Sequence, residues 1–107
     1  MSAKPGTTLE KDIEAKLRKM IEGRGGCCLK WVCPGWSGVP DRIILLPGGR
    51  VVFVELKRPR GGKLSRLQEW WLDKLRGLGF LAQVVWSEND LRFLELLLIM
   101  EEEDYGY

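Results

Sequence analysis

An aspartate stands at position 41, a glutamate at 55 and a lysine at 57, and the carboxylates are separated by "RIILLPGGRVVFV", two apolar stretches joined by Pro-Gly-Gly. Side chains alternate faces along a strand, so Val51, Phe53, Glu55 and Lys57 share one face while Val52, Val54 and Leu56 take the other. If residues 47–49 form a three-residue loop, Leu46 lies opposite Arg50, and counting back brings Asp41 opposite Glu55. Like charges opposed across a ladder repel, more so where water is scarce, so this pair requires a cation. Lys57 offers one and a divalent metal another. Two carboxylates and a backbone carbonyl, most simply that of Leu56, form an oxygen donor set suited to a hard ion such as Mg2+ that keeps several waters. The sequence has no histidine, which disfavours zinc. The argument depends on register, since a slip of one residue would turn Asp41 to the other face.

Such a hairpin must be held by neighbouring elements. Residues 8–23 predict a helix, with Thr8 as N-cap and Leu9, Ile13, Leu17, Met20 and Ile21 recurring on one face. "CCLKWV" at 27–32 predicts a strand, followed by the Pro/Gly/Ser loop 34–40, of a kind that can pass close to a ligand. "RIILL" and "RVVFVEL" are the hairpin strands, and the second, apolar on both faces, is expected to be central and covered on both sides. Ser65 as N-cap with Gln68 three positions on marks a second helix over 65–77, its apolar material being Leu67, Trp70, Trp71 and Leu75. "FLAQVVW" predicts a fourth strand, and "SENDLRFLELLLIM" a third helix capped by Ser87, with Glu88 and Asp90 in its first turn. The order is α-β-β-β-α-β with a C-terminal helix, read as one α/β domain over residues 1–107 with 1–7 and 101–107 as loose ends.

A chain of 107 residues, 45% hydrophobic, can bury one core. It carries no apolar run near the roughly 20 residues that span a bilayer and no signal-peptide core, which predicts a cytoplasmic protein. Cys27, Cys28 and Cys33 form no C-x-x-C pair and are read as buried strand thiols. Net charge is +2, but four of the acids lie at 101–104, and without them the balance is +6. Between positions 50 and 66, Arg50, Lys57, Arg58, Arg60, Lys63 and Arg66 face only Glu55. A polyanion partner fits that bias.

Pro40-Asp41, Glu55-Leu56-Lys57, the surrounding "GVPDRIILLPGGRVVFVELKRP" and "LSRLQ" with Gln68 resemble the PD-(D/E)XK nuclease superfamily, and within it the VRR-NUC (virus-type replication-repair nuclease) domain family. The likeness covers about Leu9 to Trp86. It implies a restriction endonuclease-like fold: an α-β-β-β-α-β core with a C-terminal helix, its mixed sheet flanked by helices. It also implies Mg2+- or Mn2+-dependent hydrolysis of DNA phosphodiesters in a phage or bacterial setting. On this resemblance Asp41 and Glu55 hold the metal with the Leu56 carbonyl, Lys57 orients or helps deprotonate the attacking water, and Gln68 positions Lys57 or a water. The family's first-helix glutamate corresponds to Glu14, whereas the helical wheel favours Glu10, one turn earlier.

Trp36 in the glycine loop can stack on a base, and Arg42, Arg58, Arg60 and Lys63 can contact phosphates. Trp31, Trp70, Trp71 and Trp86 are read as core or interface residues. A third helix whose apolar residues exceed one face predicts a homodimer, and with the resemblance this favours branched DNA such as a four-way (Holliday) junction as substrate. The rival readings are a non-catalytic branched-DNA binding module, a flap or single-strand nuclease that does not resolve junctions, and an interaction protein docking a partner through its third helix.

Overall fold

The structure, a computed structural model, describes the backbone of residues 7–106 and the side chains of 11–104. Three helices and four strands follow in the order α1 (Thr7–Gly23), β1 (Cys27–Lys30), β2 (Arg42–Leu46), β3 (Arg50–Leu56), α2 (Arg66–Gly77), β4 (Leu81–Val85) and α3 (Glu88–Tyr105). The order matches the sequence expectation. One boundary differs in substance: Glu101–Tyr105, expected to be loose, continue α3. Glu101 and Glu102 there form ion pairs with Arg50, and Glu102 also with Arg24, so partners in the fold offset the repulsion along the acidic run. The expectation for residues 1–6 and 107 lies outside the described residues.

The sheet has the strand order β1-β2-β3-β4, with β1/β2 and β2/β3 antiparallel and β3/β4 parallel. The Pro47-Gly48-Gly49 loop sets the register, pairing Leu46 with Arg50 as counted. Gly48 and Gly49 adopt φ of 83° and 74°, which residues with a Cβ rarely take. β3 is central, and its two apolar faces feed two clusters. Val52, Val54 and Leu56 pack with Ile13, Leu17 and Ile21 of α1 and Leu91, Leu94 and Leu98 of α3, while Phe53 packs with Leu72 and Leu75 of α2 and Ala82 of β4. The mixed sheet is therefore flanked by two helices on one side and one on the other.

α2 covers the sheet with its C-terminal half only. Leu72 and Leu75 are buried, whereas Leu67 and Trp70, expected as apolar packing material, are exposed. β1 lies at the sheet edge, which explains why Cys27 is exposed and Cys28 only partly covered; Cys33, expected as a strand thiol, lies in the loop after β1 and is also only partly covered. At the start of α3 the Ser87 hydroxyl makes no capping bond; the Asp90 carboxylate instead accepts from the Trp86 N–H at 2.8 Å. Among the described residues no helix is long and apolar enough to cross a membrane.

Candidate active site

β2 pairs with β3 as far as Arg42 opposite Val54, so the next step of the ladder brings Asp41 to Glu55. Asp41 is fixed from both sides. Its carbonyl accepts from the Trp31 N–H at 2.9 Å, just beyond β1, and its own N–H hydrogen-bonds to the Glu55 carboxylate. Pro40 before it is fully buried, which anchors the entry to the strand. The Asp41 carboxylate faces the Leu56 N–H, with both oxygens 3.4 Å away, a long and shared contact. The contact seen with Leu56 is therefore through its N–H.

Among the described residues Glu55 is the buried charged residue, 5% exposed. Burial, then the neighbouring Asp41 charge, pushes its carboxyl up to about 7, against the partial offset of Lys57 and of the Asp41 N–H. Two groups converge on Glu55 Oε2: Gln68 Nε2 donates at 3.2 Å, and Lys57 Nζ lies at 3.8 Å. Gln68 was expected to position Lys57 or a water; it holds Glu55 itself. A capping box makes this possible. Ser65 Oγ accepts from the Gln68 N–H at 3.1 Å, and Gln68 Oε1 accepts from the Ser65 N–H at 2.9 Å, which leaves the amide nitrogen to face Glu55.

Glu14 lines a cleft with Lys11, Asp41, Arg42 and Leu56. It is ion-paired with Arg42, whose side chain is mostly buried and whose guanidinium lies 4.0 Å from Asp41. Arg42, expected among the phosphate contacts, is thus committed to Glu14, on the face opposite Asp41 as strand alternation requires. That alternation was available in the sequence as a signal that Arg42 leaves the face of Asp41. Glu14 reaches the sheet end from α1, in the cleft that also holds Asp41, and Gln68 reaches Glu55 from α2. The side chain of Glu10, the alternative, lies outside the described residues. Arg58, Arg60 and Lys63 are exposed on the segment leaving β3, and Trp36 is exposed in the loop before Asp41.

Among the described residues no three acidic or thiol side chains gather into a metal site. As arranged, the chain offers two carboxylates, Asp41 and Glu55, with Glu14 drawn off by Arg42. A donor set of oxygens only, holding a buried carboxyl whose ionisation burial and a like charge oppose, fits a hard divalent cation that retains several waters. It does not fit zinc.

Comparison with known proteins points one way. Residues 13–89 match the VRR-NUC domain. A solved VRR-NUC domain structure superposes with a TM-score of 0.71 at 26% identity, covering 92% of this chain and 97% of the other. A phage protein named "Putative nuclease p44", from Acyrthosiphon pisum secondary endosymbiont phage 1, is 44% identical over 52 residues, 49% of this chain. The chain spans about half the length of that relative, 52%.

Proposed function

Because the chain belongs to the VRR-NUC domain family, we propose that it is a nuclease hydrolysing phosphodiester bonds in DNA with the help of Mg2+ or Mn2+. The observation that carries this reading is the buried Glu55 carboxyl, raised to about 7 beside Asp41 and met by Lys57 and Gln68. A carboxylate pair at the end of two core strands destabilises the fold unless a cation binds there, and perturbed groups of this kind cluster at functional sites. Asp41, Glu55 and the Leu56 carbonyl would hold the metal, with Glu14 the further carboxylate at hand in the same cleft as Asp41. The bound metal would supply a water of lowered pKa and neutralise charge on the phosphate. Lys57 adds a positive charge where the transition state gains negative charge. Gln68 fixes the direction of Glu55, and Arg58, Arg60 and Lys63 draw in the phosphate backbone.

The finer reading is a homodimer cutting branched DNA, four-way junctions in particular, within a bacterial or phage-infected cytoplasm. What supports it is α3: Leu91, Leu94 and Leu98 are buried, while Phe93, Leu96 and Met100 form a second stripe more than half exposed. An apolar stripe of this kind marks an association surface, and a two-fold pair would hold two cutting sites in fixed relation. Incubating the protein with linear, flap, splayed and four-way DNAs, in EDTA or with Mg2+ or Mn2+, tests the proposal. Cleavage with metal only is expected, with paired nicks in opposing strands of the junction. No cleavage of any DNA with either metal overturns the nuclease reading. Cleavage of flaps or single strands alone removes the junction from it.

A further inference from the structure

The N-terminal half of α2 and the loop before Asp41 form a groove that neither core cluster accounts for. Trp36, Trp70, Trp71, Leu67 and Arg66 line it, and its volume is about 540 Å3, within the usual range for small-ligand sites. Trp36 is 63% exposed and Trp70 52%. Trp36 meets Trp71 edge-to-face at 5.8 Å and 82°, and Trp70 meets Trp71 at 5.1 Å and 89°. Two edge-to-face contacts occupy at most two of the six faces of three indoles, so flat apolar surface stays open to solvent. A small domain that needed these rings for its core would bury them.

The groove is built firmly and stands next to the carboxylates. Trp71 Nε1 donates to the Ser37 carbonyl at 3.1 Å, tying the loop to α2. Gly38, with φ of 87°, lets the loop lie against Leu67; a Cβ there would stand 2.9 Å from the Leu67 backbone. Three residues beyond Gly38 the loop delivers Asp41. On α2, Gln68 and Trp71 are three apart and hence neighbours on the helix surface, and Gln68 holds Glu55. One cation, Arg66, lines the groove, and exposed Arg58, Arg60 and Lys63 lie on the segment that leads into α2. Open indole faces with Arg66 among them, beside a site for phosphate chemistry, match the chemistry of single-stranded nucleic acid, in which bases stack on rings while cations follow the backbone. Paired bases keep their faces within the duplex and cannot use such a platform.

We infer that this groove holds unpaired bases of the DNA substrate beside the cleavage site, with Arg66 on the adjoining phosphate. The inference rests on the reading of the chain as a DNA nuclease, not on the four-way junction, whose arms are paired, and gives that site a preference for DNA carrying unpaired nucleotides. The test measures binding of the full chain, in EDTA, to a fluorescein-labelled single strand of mixed sequence and to the blunt duplex of the same sequence. Trp36→Ala and Trp70→Ala each lower the ratio of single-strand to duplex affinity about fivefold or more, and Trp36→Phe restores most of it. An unchanged ratio in both alanine variants overturns the inference. So does sedimentation showing that Trp70→Ala turns a dimer into a monomer with equal loss on both DNAs, since the groove is then a subunit interface. Cleavage by the unsubstituted chain in Mg2+ or Mn2+ separates the two readings. A ratio that responds to Trp70→Ala without cleavage leaves the groove standing and removes the nuclease; cleavage with an unresponsive ratio does the reverse. No DNA affinity at low salt removes both.

Discussion

Gln68 Nε2 donates to Glu55 Oε2 at 3.2 Å while its Oε1 accepts from the Ser65 N–H at 2.9 Å. One amide therefore caps a helix and orients a buried carboxyl. Ser65→Ala should lower stability by about 1 kcal/mol, as cap removal does. It should also slow cleavage, because the amide loses its fixed direction. Gln68→Ala should slow cleavage further. Thermal unfolding and single-turnover rates at saturating metal check both; a Ser65→Ala protein with lowered melting temperature and full activity would uncouple the cap from the site.

Asp41→Asn, Glu55→Gln and Lys57→Ala should each reduce cleavage by about a hundredfold or more, the scale of losing one charge-stabilising group. DNA affinity measured in EDTA should stay within a few-fold, since the exposed Arg58, Arg60 and Lys63 remain. Full activity in either carboxylate variant would remove Asp41 and Glu55 from the metal site.

In metal-free buffer Glu55 gives stability a definite pH dependence. Its carboxyl ordinarily titrates near 4.5 and in the fold is raised to about 7. Between those values the folded chain binds a proton that the unfolded chain has lost, so stability falls as pH rises. The contribution of Glu55 is complete below pH 4.5 and is gone once pH passes 7. Melting temperatures recorded across that range should fall with pH in the natural chain and flatten in Glu55→Gln. At pH 8 without metal, Glu55→Gln should melt higher by several degrees, and Mg2+ should raise the natural chain and not the variant.

Reversing Arg60 and Lys63 to glutamate should weaken binding to every DNA shape and flatten the dependence of affinity on salt, because each lost phosphate contact releases fewer counterions. Titrations over a range of salt concentrations give the slope. An unchanged slope would put the backbone contacts elsewhere, with the basic cleft between α1 and α3 that carries Lys16, Lys19 and Arg92 the next surface to test.

The sequence alone determined the meeting of Asp41 and Glu55, the two-sided apolar strand and the Ser65/Gln68 box, because each depends on local periodicity. A three-residue loop with two left-handed glycines fixes hairpin register, and strand alternation then fixes which side chains face each other. The same alternation sets Arg42 against Asp41, but its choice of Glu14 required knowing that α1 covers that face. What tertiary structure decided are the properties that arise where distant segments dock. Glu55 is pushed to about 7 because helices and neighbouring strands close over the end of β3, and no pattern within residues 50–57 measures that burial. Gln68 reaches Glu55, and Trp70 stays in solvent, because α2 docks on the sheet with Leu72 and Leu75 as its buried residues. A helix wheel shows which residues share a side, but how far along its length a helix rests on its sheet is set by the packing of both partners.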